Sequence, residues 1–230
     1  MYKKFGKRAL DIVLCLIAVP IFALIFIFVA PAIYFADRGP VFYNAERLGR
    51  NGKIFKMYKF RSMRMNAPDL RNADGSTFNS EDDPRLTRIG KFIRKTSLDE
   101  APQIFNVLKG DMSIIGPRPD LPEHRRLYEG SEERKLDIRP GVSGYNQAYF
   151  RNTAPWKERI KNDIYYIDHL SIWLDVKIFF ITAAMVLCRK NVYTAMPNGS
   201  DKSGAAAGEG KEKGDDTAGA RMQEGGKVRR

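Results

Sequence analysis

Cysteine and histidine are nearly absent. The 230 residues hold two of each: Cys15 and Cys188 sit inside apolar runs, and His124 and His169 stand alone, with no second ligand at metal spacing. That leaves neither a disulfide framework nor a zinc centre to organise the chain, and the thiols read as inert and buried. Internal repeats are missing, so a solenoid is excluded. Acidic charge is short: 27 Asp and Glu face 39 Lys and Arg, a net +12, which favours anionic partners such as acidic headgroups, phosphorylated substrates or nucleic acid. No recognised nucleic-acid module accompanies the charge, and a long apolar segment argues against that partner. Aromatics vanish after Met196, and residues 197–230 carry seven cations against six anions among Gly and Ala; they read as a disordered tail.

What is present starts with a membrane segment. Lys3, Lys4, Lys7 and Arg8 precede a stretch from Ile12 to Ala36 without a charge. As one straight helix it would be about 37 Å long, enough to cross a bilayer. Pro20 is expected to break it, because an interior proline removes a hydrogen bond and clashes with the carbonyl of Leu16; each half would then be too short to span. Arg38, Arg47, Arg50, Lys53, Lys56, Lys59 and Arg61 follow, and basic flanks on both sides mark both as cytoplasmic. A re-entrant hairpin is favoured, with a simple spanning helix as the alternative.

Residues 38–196 then read as a cytoplasmic, interfacial domain of the α+β class, mainly helical, after the membrane segment 1–37. Asn51-Gly52 between interleaved aromatics and cations predicts a short β-hairpin. Asn66 to Pro84 is a polar loop, and Glu81-Asp82-Asp83 ahead of Pro84 reads as a solvated turn. Ile89, Phe92 and Ile93 share a face of an amphipathic helix over Leu86 to Lys95, suited to a membrane interface. A short apolar helix ends at Lys109-Gly110-Asp111, a charged helix covers Leu121 to Lys135, and Ile160 to Leu187 is helical. Gln147, Arg151 and Asn152 offer polar groups at loop positions.

Within this frame Asp99 and Glu100 stand behind the cations Arg85, Arg88, Lys91, Arg94 and Lys95 and ahead of Gly116-Pro117-Arg118-Pro119. Ser97 to Glu100 fits a capping box; Pro102 fits equally with Asp99 as the N-cap. A carboxylate can attack phosphorus to give an acyl phosphate, provided cations such as Arg94 and Arg118, or Mg²⁺, quench the repulsion.

Lys59-Phe60-Arg61-Ser62-Met63, Arg94 to Glu100, Pro117-Arg118-Pro119 and Asp163-Ile164-Tyr165-Tyr166 to Leu174-Asp175, behind a proline-interrupted apolar segment, resemble the bacterial sugar transferase family, the monotopic phosphoglycosyl transferases, over Lys4 to Asn191. The resemblance implies transfer of a phosphosugar from a UDP-sugar to undecaprenyl phosphate, with Mg²⁺, at the cytoplasmic face of a bacterial inner membrane, initiating a surface glycan. Asp99 would match the nucleophile of a ping-pong reaction and Glu100 its partner, both as metal ligands, while Lys59, Arg94 and Arg118 would hold substrate phosphates. Gln147, Arg151, Asn152 and Asp163 would line the substrate pocket. The family often breaks its membrane helix at Ser-Pro, whereas Val19 precedes Pro20 here. Long members carry further N-terminal helices, so this chain resembles the minimal catalytic form. A homodimer and handover to downstream glycosyltransferases are compatible with that reading. A non-enzymatic membrane adaptor would explain the charge but would leave Asp99 and Glu100 unused.

Overall fold

The computed structural model describes residues 1–70, 78, 80, 82–150 and 154–188. Arg151, Asn152 and the expected tail lie outside them. The fold is mainly helical with short sheets, as expected, and its longest element is apolar helix α1, Lys7–Asp37, entered through a π-helical turn at Tyr2–Gly6.

The expected break at Pro20 is not there: α1 runs on through both Pro20 and Pro31. Its packing gives the reason. Cys15, Phe22, Val29 and Ile33, spaced four or seven residues apart, form a buried stripe on one side of the helix, so core contacts on either side of Pro20 hold the axis together despite the missing N–H. With Asp11, which is also buried, the stripe follows α1 for about 33 Å. The helix therefore lies along the domain. Its other side is bare: Leu16, Ile17, Ile21, Leu24, Ile27 and Phe28 are each more than half exposed, and α1 is the one described helix long and apolar enough to cross a membrane.

Charged groups fasten both ends of α1. At its start, Lys7 Nζ donates to Asp175 Oδ2 at 2.5 Å, Arg8 donates to the carbonyls of Val107 and Leu108, and Asp11 accepts from the Ile114 N–H at 3.0 Å. At its end, Arg61 grips both carboxylate oxygens of Asp37 at 2.6 Å, and Arg38 turns left-handed to stop the helix.

The hairpin is formed as the Asn51-Gly52 pair predicts. Strands β1 (Phe42–Leu48) and β2 (Ile54–Phe60) pair antiparallel from Phe42↔Phe60 to Leu48↔Ile54, with both turn residues at positive φ. Phe55 and Met57 face a core shared with Cys15, Val107 and Met112. Phe60 turns to the α1 side and stacks on Phe22 and Phe42.

Helix α2 (Arg88–Lys95) begins at Thr87, whose hydroxyl accepts from the Gly90 N–H. Ile93 is buried and Phe92 is 52% exposed, so its apolar residues divide between core and surface. Helix α3 (Gln103–Lys109) closes at Gly110 with φ 97. Strands β3 (Ser113–Ile115) and β4 (Gly141–Ser143) pair in parallel. Helices α4 (Tyr145–Tyr149), α5 (Trp156–Asp168) and α6 (Ile172–Leu187) complete the described chain.

Two helical expectations change. Leu121 to Lys135 holds two 3-10 stretches, Pro122–Leu127 and Gly130–Asp137, because the chain leaves helical angles at Tyr128 and Glu129 and Gly130 takes φ 53. The long C-terminal helix is two, divided before Ser171, whose hydroxyl caps α6 by accepting from the Leu174 N–H.

Gly90 carries a prediction. A Cβ there would lie 1.7 Å from the Ser62 carbonyl oxygen, so α2 packs directly on the 61–63 backbone. In an isolated helix Ala would be the better residue by about 1 kcal/mol. Here Gly90→Ala is expected to destabilise the protein by roughly 1–3 kcal/mol through overpacking, read as a lower melting temperature of detergent-solubilised protein by intrinsic fluorescence.

Candidate active site

Four separate segments converge on Asp99 and Glu100. The pair occupies a 3-10 turn, Leu98–Glu100, entered from Ser97 in the left-handed region at φ 57. A non-glycine residue there is costly unless its neighbours enforce it. Leu98 and Ala101 do so by packing beside Phe60, Ile93 and Ile33. Neither expected cap is formed: Ser97 makes no side-chain cap bond, and α3 starts at Gln103 after Pro102. Glu100 is drawn instead to a stronger partner, Lys59 Nζ, which donates to its Oε1 at 2.7 Å.

Lys59 reaches that place because it continues the inward face of β2 after Phe55 and Met57. Asn106 then fixes α3 against the strand. It is fully buried, accepts from the Tyr58 N–H and donates to the Lys56 carbonyl, both at 2.8 Å. Arg94, from the last turn of α2, donates from Nε to Ser62 Oγ at 3.0 Å. Arg118 projects from the proline-flanked turn with Nη2 4.0 Å from Glu100 Oε1. Gly116, just before that turn, meets β4 so closely that its N–H donates to the Ser143 carbonyl at 2.8 Å.

The two carboxylates are driven apart electrostatically. Burial raises the pKa of Asp99; Lys59 opposes the rise, the Glu100 charge adds to it, and Arg94 and Arg118 oppose it, with a net upward shift. Burial also acts to raise Glu100, but Lys59 and then Arg118 outweigh it and hold Glu100 well below the usual carboxylate range. Adjacent carboxyls pushed in opposite directions are suited to different roles in one reaction.

Of the expected site residues, Lys59, Arg94, Asp99, Glu100 and Arg118 are thus brought together. Gln147 lies on α4 beside Gly144 and Gly116, with both amide atoms buried and lacking a hydrogen-bond partner. Asp163, expected in the substrate pocket, is 1% exposed and paired with Lys135 at 3.0 Å. Arg85, among the cations flanking the acidic pair, is a structural residue whose guanidinium is bound to Asp83. Ser62 stood inside the quoted Lys59-to-Met63 block, whereas Asn106, Asp120 and Lys135 went unsignalled in the sequence, apart from a lone Asn in an apolar helix. Among the described residues no three His, Cys, Asp or Glu side chains converge as a metal cage. Magnesium, however, is commonly held by one or two carboxylates together with substrate phosphates, and the adjacent Asp99 and Glu100 fit that donor set.

An apolar helix lies along a small α+β domain that brings two carboxylates and three cations together, an arrangement suited to a transferase that handles phosphates. The chain belongs to the bacterial sugar transferase family, whose description matches residues 2–189. It is 44% identical over 190 residues to the galactosyl transferase CpsE of Streptococcus agalactiae, covering 79% of this chain and 42% of that protein. Identity is 39% over 201 residues to the undecaprenyl-phosphate galactose phosphotransferase of Salmonella typhimurium, covering 83% and 42%. The exopolysaccharide production protein ExoY of Sinorhizobium fredii is matched at 34% over 199 residues, 82% of this chain and 88% of that one. The chain thus spans about two-fifths of the length of the first two relatives.

Proposed function

We propose that this protein transfers a sugar 1-phosphate from a UDP-sugar to undecaprenyl phosphate, releasing UMP, through a covalent phosphosugar on Asp99. The observation that carries the reading is Asp99 standing beside a Glu100 already neutralised by Lys59 at 2.7 Å and approached by Arg118. A nucleophilic carboxylate must meet a diphosphate without mutual repulsion, and Lys59, Arg94 and Arg118 supply the opposing charge.

In the first half-reaction an oxygen of ionised Asp99 forms a bond to the sugar-bearing phosphorus, and the bridging P–O bond breaks with its electron pair leaving on UMP. In the second, a phosphate oxygen of the lipid attacks the same phosphorus, and the Asp99 carboxylate leaves as it began. Arg94 and Arg118 orient the phosphates, while Lys59 keeps Glu100 ionised beside the reacting centre. Mg²⁺, held by Asp99 and Glu100, would supply further neutralisation of the diphosphate when bound. The product, a lipid-linked sugar diphosphate, would be a substrate for glycosyltransferases that build a surface glycan.

The reading places α1 in one leaflet from the cytoplasmic side. Its two ends bind the same domain, through Lys7 with Asp175 and Arg61 with Asp37, so a crossing would carry one set of partners to the wrong side. With exposed Cys188 replaced by Ser, cysteines introduced at Lys3 and Arg38 are expected to react with an impermeant maleimide from the same face of sealed inverted vesicles. Labelling from opposite faces would reject the one-sided topology.

The enzymatic test is UMP release from UDP-glucose, UDP-galactose and UDP-N-acetylgalactosamine with undecaprenyl phosphate and Mg²⁺ present. One donor is expected to be consumed in a lipid-dependent manner. No release from any of the three, by protein that retains its melting transition, would overturn the reading for these donors.

A further inference from the structure

Behind the Pro117-Arg118-Pro119 turn lies a buried charge network that the reaction above leaves unused. Lys135, with its side chain 4% exposed, places Nζ 2.6 Å from Asp120 Oδ2 and 3.0 Å from Asp163 Oδ2. The Tyr128 hydroxyl donates to Asp120 Oδ2 at 2.8 Å, and the Asp120 carbonyl accepts from the Leu48 N–H at 2.9 Å. The partly open space lined by Arg118, Asp120, Lys135 and their neighbours has only about 10 Å³ free, at the lower limit for one water. These charges must therefore balance one another.

Two carboxylates face one ammonium; His124 acts on Asp120 as well, and Arg118 lines the same space. Burial raises the pKa of Asp163, while Lys135 and, after Asp120 adds to the rise, Arg118 oppose it; Arg118 is thus within electrostatic reach of the network. Its other neighbour is Glu100, 4.0 Å from Nη2. Arg118 stands between an anion in front and a surplus of anion behind. Replacing a buried ion pair by apolar packing is often neutral or stabilising, so its presence here is not explained by stability alone. This one links the turn, through Asp120, to α5, through Asp163.

We propose that Lys135 is the positioning residue for Arg118: by bridging Asp120 and Asp163 it fastens the turn to α5 and cancels the rear negative charge that would draw the guanidinium out of the cleft. The proposal rests on the reading of Arg118 as a cation for the donor phosphates. Without Lys135, two buried carboxylates would compete with the donor for Arg118.

The test is a double-mutant cycle on KM for the preferred donor of the three-sugar panel, with melting temperatures recorded for each variant. Lys135→Met is expected to raise KM roughly tenfold, the scale seen when a group supporting a ligand-binding side chain is removed. Added to Arg118→Ala, it is expected to raise KM no further, because the residue it positions is gone. A simple loss of folded protein would lower apparent kcat at unchanged KM. Should Lys135→Met fail to fold, Lys135→Gln, which keeps a donor toward both carboxylates and loses only the charge, is expected to raise KM only when Arg118 is present. Additive effects, or an unchanged KM in the folded variant while Arg118→Ala raises it, would overturn the positioning role and leave the donor-site reading standing. An unchanged KM in Arg118→Ala would remove the phosphate-binding reading itself.

Discussion

Asp99→Asn is expected to abolish both UMP release and covalent labelling by a UDP-sugar radiolabelled in the sugar, with turnover falling on the order of 10⁶-fold, as when the nucleophile of a serine protease is removed. The amide keeps the shape of the carboxylate and lacks its charge, so a folding defect is not the expected cause; the melting temperature should stay close to that of the parent. The measurement is label retained on protein after denaturing electrophoresis, with UDP-sugar and Mg²⁺ but no lipid acceptor. Label surviving equally in Asp99→Asn would place the covalent intermediate elsewhere or remove it from the mechanism.

Glu100→Gln should have the next largest effect, a loss of roughly 10²–10³-fold in the first half-reaction, the range for removing one preorganised electrostatic group. It also carries a pH signature. Asp99 reacts as the ionised form, so labelling falls as pH drops through its pKa. The Glu100 charge helps to raise that pKa, after burial; removing it lowers the pKa, and the acid limb of the labelling rate is expected to move to lower pH. Lys59→Met should do the reverse, because Lys59 is the chief group opposing the rise. The first half-reaction is the right readout, since the lipid phosphate is absent from it. An acid limb that moves the same way in both variants would contradict the electrostatic assignment.

The sequence was most legible where structure is decided locally. Asn51-Gly52 takes positive φ at both residues because few other pairs can, and the hairpin followed. Gly110 ended α3 for the same reason. Local rules failed where a distant group offered a better partner. Ser-x-x-Glu at Ser97 to Glu100 had the spacing of a cap, yet Lys59, 41 positions away, takes the carboxylate. Pro20 had the chemistry of a helix break, but the domain packed along α1 holds the helix together on both sides of it. The cations of the site were visible as residue types. Which of them faced inward was not: Lys59 enters the cleft through strand alternation, whereas Arg85 is consumed by Asp83 two residues away. Asn106 and Lys135 were silent because their partners on β2 and α5 lie far from them in sequence.

The anchoring of α1 also has a cost in time. Lys7 depends on Asp175, 168 positions later, and at 5–20 residues per second a ribosome needs roughly 8–34 s after adding Lys7 to make that partner. Throughout that interval the most apolar segment of the chain exists without its protein seat. It must spend the delay in lipid or under a chaperone, so membrane contact would precede completion of the catalytic cleft, and the bilayer would act as the template on which the domain closes.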